Sequence, residues 1–222
     1  MAHDLRSPLM YLSGRVQLAQ RRTCADMPAD EFLCELADEL QRMERIIADF
    51  VLYAQIVEEG GLPESQLVDL NDVAMDAASG CSARARARGV QINPTLATSS
   101  QSSDGASVCG CDRWLRAMVK RLLAFALDRC AGECTASMTV ARTEDTISLH
   151  VAIPAVCIDE VDVSRLSQIC SQVDDKLWAS PDESGIVIAV AIARAHCGTL
   201  SITAQPTDGL ELIVQLPAAQ VE

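Results

Sequence analysis

The stretch ADEFLCELADELQRMERIIADFVLYAQIV, residues 29–57, predicts the most regular helix of the chain. Apolar side chains recur along it at alternating steps of three and four residues, which is the spacing of a heptad seam. The seam residues are Leu33, Leu36, Leu40, Met43, Ile47, Phe50 and Ala54. Charged residues occupy the opposite face, so the pattern favours a helix that pairs along one side, as in a coiled-coil-like bundle.

A second helix is predicted upstream, over residues 1–22, because apolar residues recur there near helical spacing. Pro8 lies inside this pattern and is expected to kink or loosen the helix. Residues 23–28 (TCADMP) predict a turn, so the two helices form a hairpin domain over residues 1–60. Two antiparallel helices bury their apolar stripes poorly on their own. We therefore expect a homodimer in which two hairpins form a four-helix bundle.

Residues 58–66 (EEGGLPESQ) predict a linker, after which the pattern changes. The second half predicts helices that alternate with strands of period two. The helices are expected over residues 68–89, 112–131 and 184–197, and the strands over 90–92, 136–141, 147–153, 200–204 and 210–216. This order predicts a two-layer α/β sandwich over residues 66–222, and the whole chain is expected to belong to the α+β class.

Composition and charge exclude several classes of function. The chain has 222 residues and a net charge of −13, from 18 basic and 31 acidic side chains. An acidic surface repels phosphate backbones, so nucleic-acid binding is not expected. No apolar run approaches the roughly 20 residues of a membrane span, and the polar N-terminus lacks the apolar stretch of a signal peptide. We therefore expect a cytoplasmic protein with no membrane contact in this chain.

The chain contains ten cysteines, which is a high number. No CxxC pair occurs, and the closest spacings are Cys109-Gly-Cys111 and Cys130-x-x-x-Cys134. A zinc site normally combines four closely paired ligands, so no metal site is predicted. The cysteines are expected to be free thiols that pack as small apolar side chains, with redox sensing as a less favoured alternative.

The most informative motif is HDLRSPL, residues 3–9. At all seven positions it resembles the H-box of sensor histidine kinases, whose pattern is H-(E/D)-L-R-(T/S)-P-L. In that family the motif lies on the first helix of a dimerisation and histidine-phosphotransfer hairpin. Further segments resemble the family's ATP-binding domain: VDLND (68–72), RARGVQI (86–92), HCGTLSI (196–202) and LIVQLP (212–217). The resemblance therefore covers nearly the whole chain.

The resemblance implies a phosphoryl chemistry at the N-terminus. A neutral imidazole nitrogen of His3 can attack phosphorus and form a phosphoramidate. The carboxylate of Asp4 can orient the ring and accept its other proton. In the family, the residue at the position of Ser7 helps to place a water that dephosphorylates the partner regulator. These three residues are the predicted catalytic set.

A response regulator is the expected partner. Its receiver domain would insert its first helix beside His3 and present an aspartate to the imidazole. Docking of this kind combines apolar contacts with a charged rim. The predicted docking residues are Arg6, Leu9, Met10 and Leu12 on the first helix, and Phe50 and Tyr53 on the second.

The nucleotide-binding motifs of the family are not retained. The family uses an Asn for Mg²⁺, an Asp in a D-x-G-x-G strip for adenine, and glycines at the phosphates. Here Phe125 stands at the Asn position and Ile153 at the Asp position, and only Gly185 remains of the last glycine box. Acidic residues dominate the expected lid at 159–182. ATP binding is therefore expected to be lost, with no cofactor bound and with Mg²⁺ entering only through the receiver domain.

These features favour a histidine phosphotransferase of a bacterial phosphorelay, which exchanges phosphoryl between His3 and response-regulator aspartates without ATP. ChpT-type histidine phosphotransferases, with a kinase-like bundle and a degenerate ATP-binding-like domain, look similar. The alternative is a pseudokinase, a non-catalytic scaffold or inhibitor that binds a kinase or a regulator. A third and weaker hypothesis is an active histidine kinase with an atypical nucleotide site.

Overall fold

The computed structural model of the chain describes residues 10, 13–14, 29–97, 105–130, 132–154, 160–171, 183–205 and 209–219. These ranges contain five helices and seven strands. The helices are α1 (Ala29–Glu59), α2 (Leu70–Ala87), α3 (Asp112–Asp128), α4 (Glu160–Ser171) and α5 (Ser184–Ala195). The strands are β1 (Gln66–Asp69), β2 (Val90–Thr95), β3 (Ser107–Gly110), β4 (Cys134–Arg142), β5 (Thr146–Ile153), β6 (Thr199–Gln205) and β7 (Gly209–Pro217).

Helix α1 confirms the helix predicted over residues 29–57 and carries two apolar faces. One face packs against α5 and buries Ile46 and Ile56. The other face is between 41% and 60% exposed at its large apolar side chains, which are Leu33, Leu40, Ile47, Phe50, Val51 and Val57. Several of these belong to the predicted heptad seam, so the sandwich leaves that seam uncovered. The rest of the predicted hairpin lies outside the described residues, apart from residues 10, 13 and 14.

A five-stranded mixed sheet forms the second half of the chain, in the order β2–β4–β5–β7–β6. Strand β2 runs parallel to β4, and the other neighbouring strands are antiparallel. The register places Leu149 of β5 between Val140 of β4 and Val214 of β7. All three side chains are buried. Alternate residues of the sheet therefore face a common core.

A layer of helices covers the buried face of this sheet. Helix α3 contacts both α2 and α5, and the three helices contact the strands beneath them. Trp114, Met118 and Leu122 of α3 are fully buried at this interface. Burial of a large apolar side chain contributes about 1.5–3 kcal/mol, so α3 is a main source of stability. The arrangement confirms the predicted two-layer α/β sandwich and the α+β class.

Local signals begin and end the helices near the predicted positions. The side chain of Asp69 caps α2 by accepting a hydrogen bond of 2.8 Å from the backbone N–H of Asn71. Gly89 follows this helix with a φ of +70°, a conformation that glycine adopts without strain. Helix α3 begins at Asp112, as predicted, and ends at Asp128 rather than near residue 131.

Strands β1 and β3 and helix α4 are not predicted by the sequence pattern. The pattern assigns the residues of β1 to the linker and to the helix cap. Strands β1 and β3 pair as a two-stranded antiparallel sheet. Each has four residues, which is too short for a clear period-two signal. Helix α4 lies in the segment expected to form an acidic lid and buries only Leu166 and Ile169 among its large apolar side chains.

Candidate functional site

The predicted phosphoacceptor motif lies outside the described residues. This is true of the predicted catalytic residues His3, Asp4 and Ser7 and of the docking residues Arg6, Leu9 and Leu12. Met10 is helical and 68% exposed. Phe50 and Tyr53 both lie on α1, where Tyr53 packs partly against the core. The catalytic and docking roles of these residues stay predictions.

A cleft of about 350 Å³ lies where α1 meets the sandwich. Helices α1, α2 and α3 and the first turn of α5 line it, and its volume falls within the usual range for ligand pockets. Its basic lining residues are Arg45, Arg84, Lys120 and Arg121, and its acidic ones are Asp49 and Asp128. Positive charge therefore exceeds negative charge here, although the whole chain carries −13. We name this feature the α1–α3 cleft.

Asp49 joins α1 to the sandwich at one wall of the cleft. It is only 8% exposed. Its Oδ1 accepts a hydrogen bond of 2.6 Å from Nε of Arg121, and its Oδ2 accepts one of 2.6 Å from Oγ of Ser184. A buried carboxylate requires such partners, so this contact holds α1, α3 and the start of α5 in one arrangement. Sequence reasoning missed it because Asp49 and Arg121 are 72 residues apart.

Asp128, the other carboxylate of the cleft, is neutralised within the sandwich. Its Oδ1 accepts a hydrogen bond of 3.0 Å from Nε of Arg84 and lies 2.9 Å from Nη2 of Arg88. In contrast, neither Lys120 nor Arg45 forms an ion pair with any residue in the described ranges. The two described carboxylates of the cleft are therefore paired with cations, whereas two of its cations have no described ion-pair partner.

The position at which the family places a magnesium ligand carries an aromatic ring. Phe125 is 5% exposed, and the guanidinium carbon of Arg129 lies 3.6 Å from its ring centroid, as in a cation–π contact. Mg²⁺ takes oxygen ligands, and a phenyl ring supplies none. The residues of this wall therefore do not fit a magnesium–nucleotide complex of the kind that the family resemblance implies.

The other two nucleotide positions do not fit either. Ile153 is fully buried at the end of β5, and its side chain offers no acceptor for an adenine amine. Gly185 is present, but a Cβ there would lie 3.6 Å from Cβ of Arg121, which is an ordinary contact. Beside Gly185, the buried Glu183 pairs with Arg165 of α4. Protein contacts therefore determine the start of α5, and there is room for a side chain at the position of Gly185.

The opposite end of α5 carries a buried histidine whose two ring nitrogens are both hydrogen-bonded. Nδ1 of His196 donates to the carbonyl of Ile192 at 2.8 Å, and Nε2 accepts from the backbone N–H of Cys111 at 3.0 Å. Burial lowers the pKa of His196, which favours the neutral ring that this pattern requires. The contact ties the end of α5 to the start of α3, so the role of His196 is structural.

Neither a metal site nor a membrane-spanning helix is found in the part of the chain that the structure describes. No group of three or more His, Cys, Asp or Glu residues converges there as a metal site, and no helix there is both long and apolar enough to cross a membrane. The described cysteines are free thiols, as predicted. Sγ of Cys130 and Sγ of Cys134 lie 3.5 Å apart, and burial together with this contact raises the pKa of Cys130 to about 12.

Comparison with known proteins points to one class. Residues 1–59 match the His Kinase A (phospho-acceptor) domain family. The sensor histidine kinase CusS of Escherichia coli (strain K12) is 24% identical over 220 residues, which are 98% of this chain and 44% of that protein. The probable sensor histidine kinase TcrY of Mycobacterium tuberculosis is 28% identical over an alignment of 230 positions, which covers 97% of this chain and 44% of that protein. The chain thus spans less than half the length of these curated relatives.

Solved structures share the fold. The histidine kinase AdeS of Acinetobacter baumannii superposes with a TM-score of 0.72 and 14% identity, covering 98% of each chain. The histidine kinase ThkA in complex with the response regulator protein TrrA gives a TM-score of 0.68 and 16% identity, covering 98% of this chain and 60% of that one. At such identities the likeness establishes the fold alone. Together with the family match and the relatives, it supports a histidine kinase core.

These comparisons contradict the function that the sequence analysis favours. The sequence favours an ATP-free histidine phosphotransferase, with a pseudokinase scaffold as the alternative and an active histidine kinase as a weaker one. The matching relatives are instead named sensor histidine kinases, and the matches run through 97% to 98% of the chain, including the sandwich. The findings therefore point to a histidine kinase. The expectation was wrong because it relied on three replaced side chains, whereas the similarity extends over the whole domain.

Proposed function

We propose that this chain is the kinase core of a two-component signalling protein and that its nucleotide site is atypical. The observation that carries the proposal is the match of residues 1–59 to the phospho-acceptor domain family, because HDLRSPL lies inside the matched range. The sandwich packs directly against α1, the second helix of the predicted hairpin. This contact supports the proposal, since a catalytic domain must lie close to the hairpin that carries the phosphoryl acceptor.

His3 is the phosphoryl carrier in this proposal. A ring nitrogen attacks the γ-phosphorus of ATP and forms the P–N bond, while the bond from that phosphorus to the bridging oxygen breaks and ADP leaves with its electron pair. Asp4 accepts the proton on the other ring nitrogen as the imidazole gains positive charge. In the next step a carboxylate oxygen of a receiver aspartate attacks phosphorus. The P–N bond then breaks, and its electron pair returns to the imidazole. Ser7 positions a water for the opposing reaction, which is hydrolysis of the phosphorylated regulator.

A response-regulator receiver domain is the proposed partner. Support comes from the structural neighbour ThkA, which is described in complex with a response regulator. Met10 and Phe50 add exposed apolar area on the helices next to the motif. Interfaces of this type place a few apolar anchors at their centre, so these two side chains are expected to contribute most of the docking energy outside His3.

A second copy of the chain is the proposed occupant of the exposed face of α1. Leu40 and Ile47 are 53% and 46% exposed there, at the spacing of a coiled-coil seam. The double variant Leu40→Asp with Ile47→Asp is expected to be monomeric in light scattering, because dimerisation would bury two charges. The matched variant Glu44→Ala, on an exposed part of the same helix, is expected to stay dimeric. A dimeric double variant would contradict the bundle.

The decisive experiment supplies ATP labelled on its γ-phosphate to the purified chain. The control is His150→Gln, which replaces a histidine of β5 whose Nδ1 lies 2.9 Å from a carboxylate oxygen of Glu211. Acid-labile label is expected on the wild-type chain and on His150→Gln, and none is expected on His3→Gln. Addition of a receiver domain should then move the label onto the receiver. The proposal is wrong if no label reaches His3 with either MgCl2 or EDTA present, or if His3→Gln is labelled as fully as the wild type.

A further inference from the structure

The α1–α3 cleft contains two cations that no carboxylate of the described residues neutralises. Lys120 and Arg45 are exposed and face the same cleft from α3 and α1. No carboxylate in the described ranges pairs with either side chain. In a chain with a net charge of −13, a pocket with an excess of positive charge attracts anions by a local field that the rest of the surface opposes.

Among the described residues that line this cleft, no carboxylate is free to bind a metal ion. Of its two carboxylates, Asp49 is held by Arg121 and Ser184, and Asp128 is held by Arg84 and Arg88. Phe125 supplies a ring where an amide oxygen would be needed. A magnesium–phosphate complex would therefore have to displace an existing ion pair, whereas a bare phosphate group meets cations at once.

We propose that the α1–α3 cleft binds a polyphosphate anion directly through Lys120 and Arg45, without a magnesium ion. Arg84 and Arg121 keep their acidic partners and add to the positive field. The inference deepens the proposed kinase function, and it rests on that function because it concerns phosphate binding at the same domain junction. Lysine and arginine both bind phosphate by charge-assisted hydrogen bonds, so they replace the positive charge that the metal would supply.

Calorimetric titration of the purified chain with sodium triphosphate in excess EDTA tests the proposal. Saturable binding is expected, and Lys120→Ala and Arg45→Ala should each weaken it about tenfold, as the loss of one charge-assisted hydrogen bond does. The matched control is Arg113→Ala, which removes an exposed cation from the same helix but outside the cleft. Arg113→Ala is expected to leave the affinity unchanged. Equal weakening by all three variants would mean non-specific attraction and would overturn the proposal.

The metal dependence provides a second and independent test. Excess MgCl2 is expected to weaken triphosphate binding about tenfold, because Mg²⁺ neutralises the ligand and finds no free oxygen in the cleft. ATP is expected to bind about as tightly as triphosphate, since Ile153 offers no acceptor to the base. Binding that requires Mg²⁺, or no binding in EDTA, overturns the proposal.

The readout separates this inference from the proposed kinase function. Titration of the His3→Gln variant measures binding in a chain that lacks the phosphoryl acceptor, and its affinity for triphosphate should equal that of the wild type. Metal-free binding without any label on His3 would support the anion site and contradict the kinase. Label on His3 without metal-free binding would support the kinase and contradict the anion site. Thermal unfolding of every variant confirms that it is folded.

Discussion

The two ends of helix α5 differ in how strictly their residues are determined by packing. At the C-terminal end, a Cβ on Gly198 would lie 2.3 Å from the carbonyl oxygen of Gln215, so no side chain fits there. At the N-terminal end, the nearest atom to a Cβ on Gly185 is Cβ of Arg121 at 3.6 Å, so a methyl group fits. One glycine is therefore required by the fold, and the other is not.

This difference separates residues that the fold needs from residues that a ligand would need. The C-terminal segment HCGTLSI keeps the pattern of the kinase resemblance because its atoms contact α3 and β7. The N-terminal segment and Phe125 depart from the pattern where the family contacts a nucleotide. Burial of the common core stabilises the sandwich in either case, so ligand positions can change while the fold persists. Four experiments test this distinction, in decreasing order of expected effect.

Phe125→Asn restores the family residue and is expected to have the largest effect. It removes a buried ring and its contact with Arg129, and it leaves an amide among apolar neighbours. We expect a loss of about 3–5 kcal/mol in the free energy of unfolding, measured by urea denaturation. Phe125→Leu keeps most of the apolar volume and should cost less than about 1.5 kcal/mol. Equal stability of Phe125→Asn and the wild type would show that this wall is still built for a polar ligand.

Gly198→Ala is expected to destabilise the chain by about 3 kcal/mol, because its Cβ would overlap the backbone of β7. Gly185→Ala is the matched substitution at the other end of α5. It should be neutral or should stabilise by up to about 1 kcal/mol, since alanine is the better helix former. Thermal unfolding of both variants measures the contrast. If both cost the same, the two ends do not differ in packing and the comparison fails.

Asp49→Ala tests the contact that joins the N-terminal end of α5 to α1. It leaves the guanidinium of Arg121 and the hydroxyl of Ser184 without their carboxylate acceptor. We expect a loss of about 2 kcal/mol in urea denaturation. Glu44→Ala, an exposed residue of α1, should change stability by less than about 0.5 kcal/mol. An unchanged free energy of unfolding for Asp49→Ala would mean that the cost of desolvating the ion pair cancels its favourable interaction.

The pH dependence of stability tests the C-terminal end. Burial lowers the pKa of His196 below its ordinary value of 6.5, so below that pH the unfolded chain binds more protons than the folded one. The free energy of unfolding should therefore decrease as the pH falls below about 6.5. Above that pH both states carry a neutral His196, so the stabilisation that the neutral ring provides is fully present. His196→Gln should flatten the slope of unfolding free energy against pH in this range. An unchanged slope would exclude a titrating His196 as its source.

Most elements of the fold were predictable because they depend on contacts between residues close in the chain. The period of α1 and the alternation in β4, β5 and β7 follow from which face each side chain occupies. The cap at Asp69 and the turn at Gly89 are also local. The pair β1–β3 and helix α4 escaped prediction because short strands and a helix with few buried apolar residues carry little periodic signal.

The two parts of the candidate site differ in how far the sequence predicts them. The phosphoacceptor motif at His3 is visible in sequence because its seven positions are contiguous. The α1–α3 cleft is not, because Arg45, Arg84 and Lys120 come from three helices separated by a linker and by strands. Each of these cations, taken alone, looks like a solvated surface residue.

The sequence by itself determined the helical stripe of α1, the strand pattern of the sandwich and the kinase-like motif at residues 3–9. These follow from interactions between neighbours a few residues apart, which a linear pattern records directly. Only the tertiary structure decided that Asp49 binds Arg121 and that Asp128 binds Arg84. It also decided that Lys120 and Arg45 face the cleft with no ion-pair partner among the residues that the structure describes. Those outcomes depend on which surfaces pack together, and electrostatic balance in a pocket is a property of that packing.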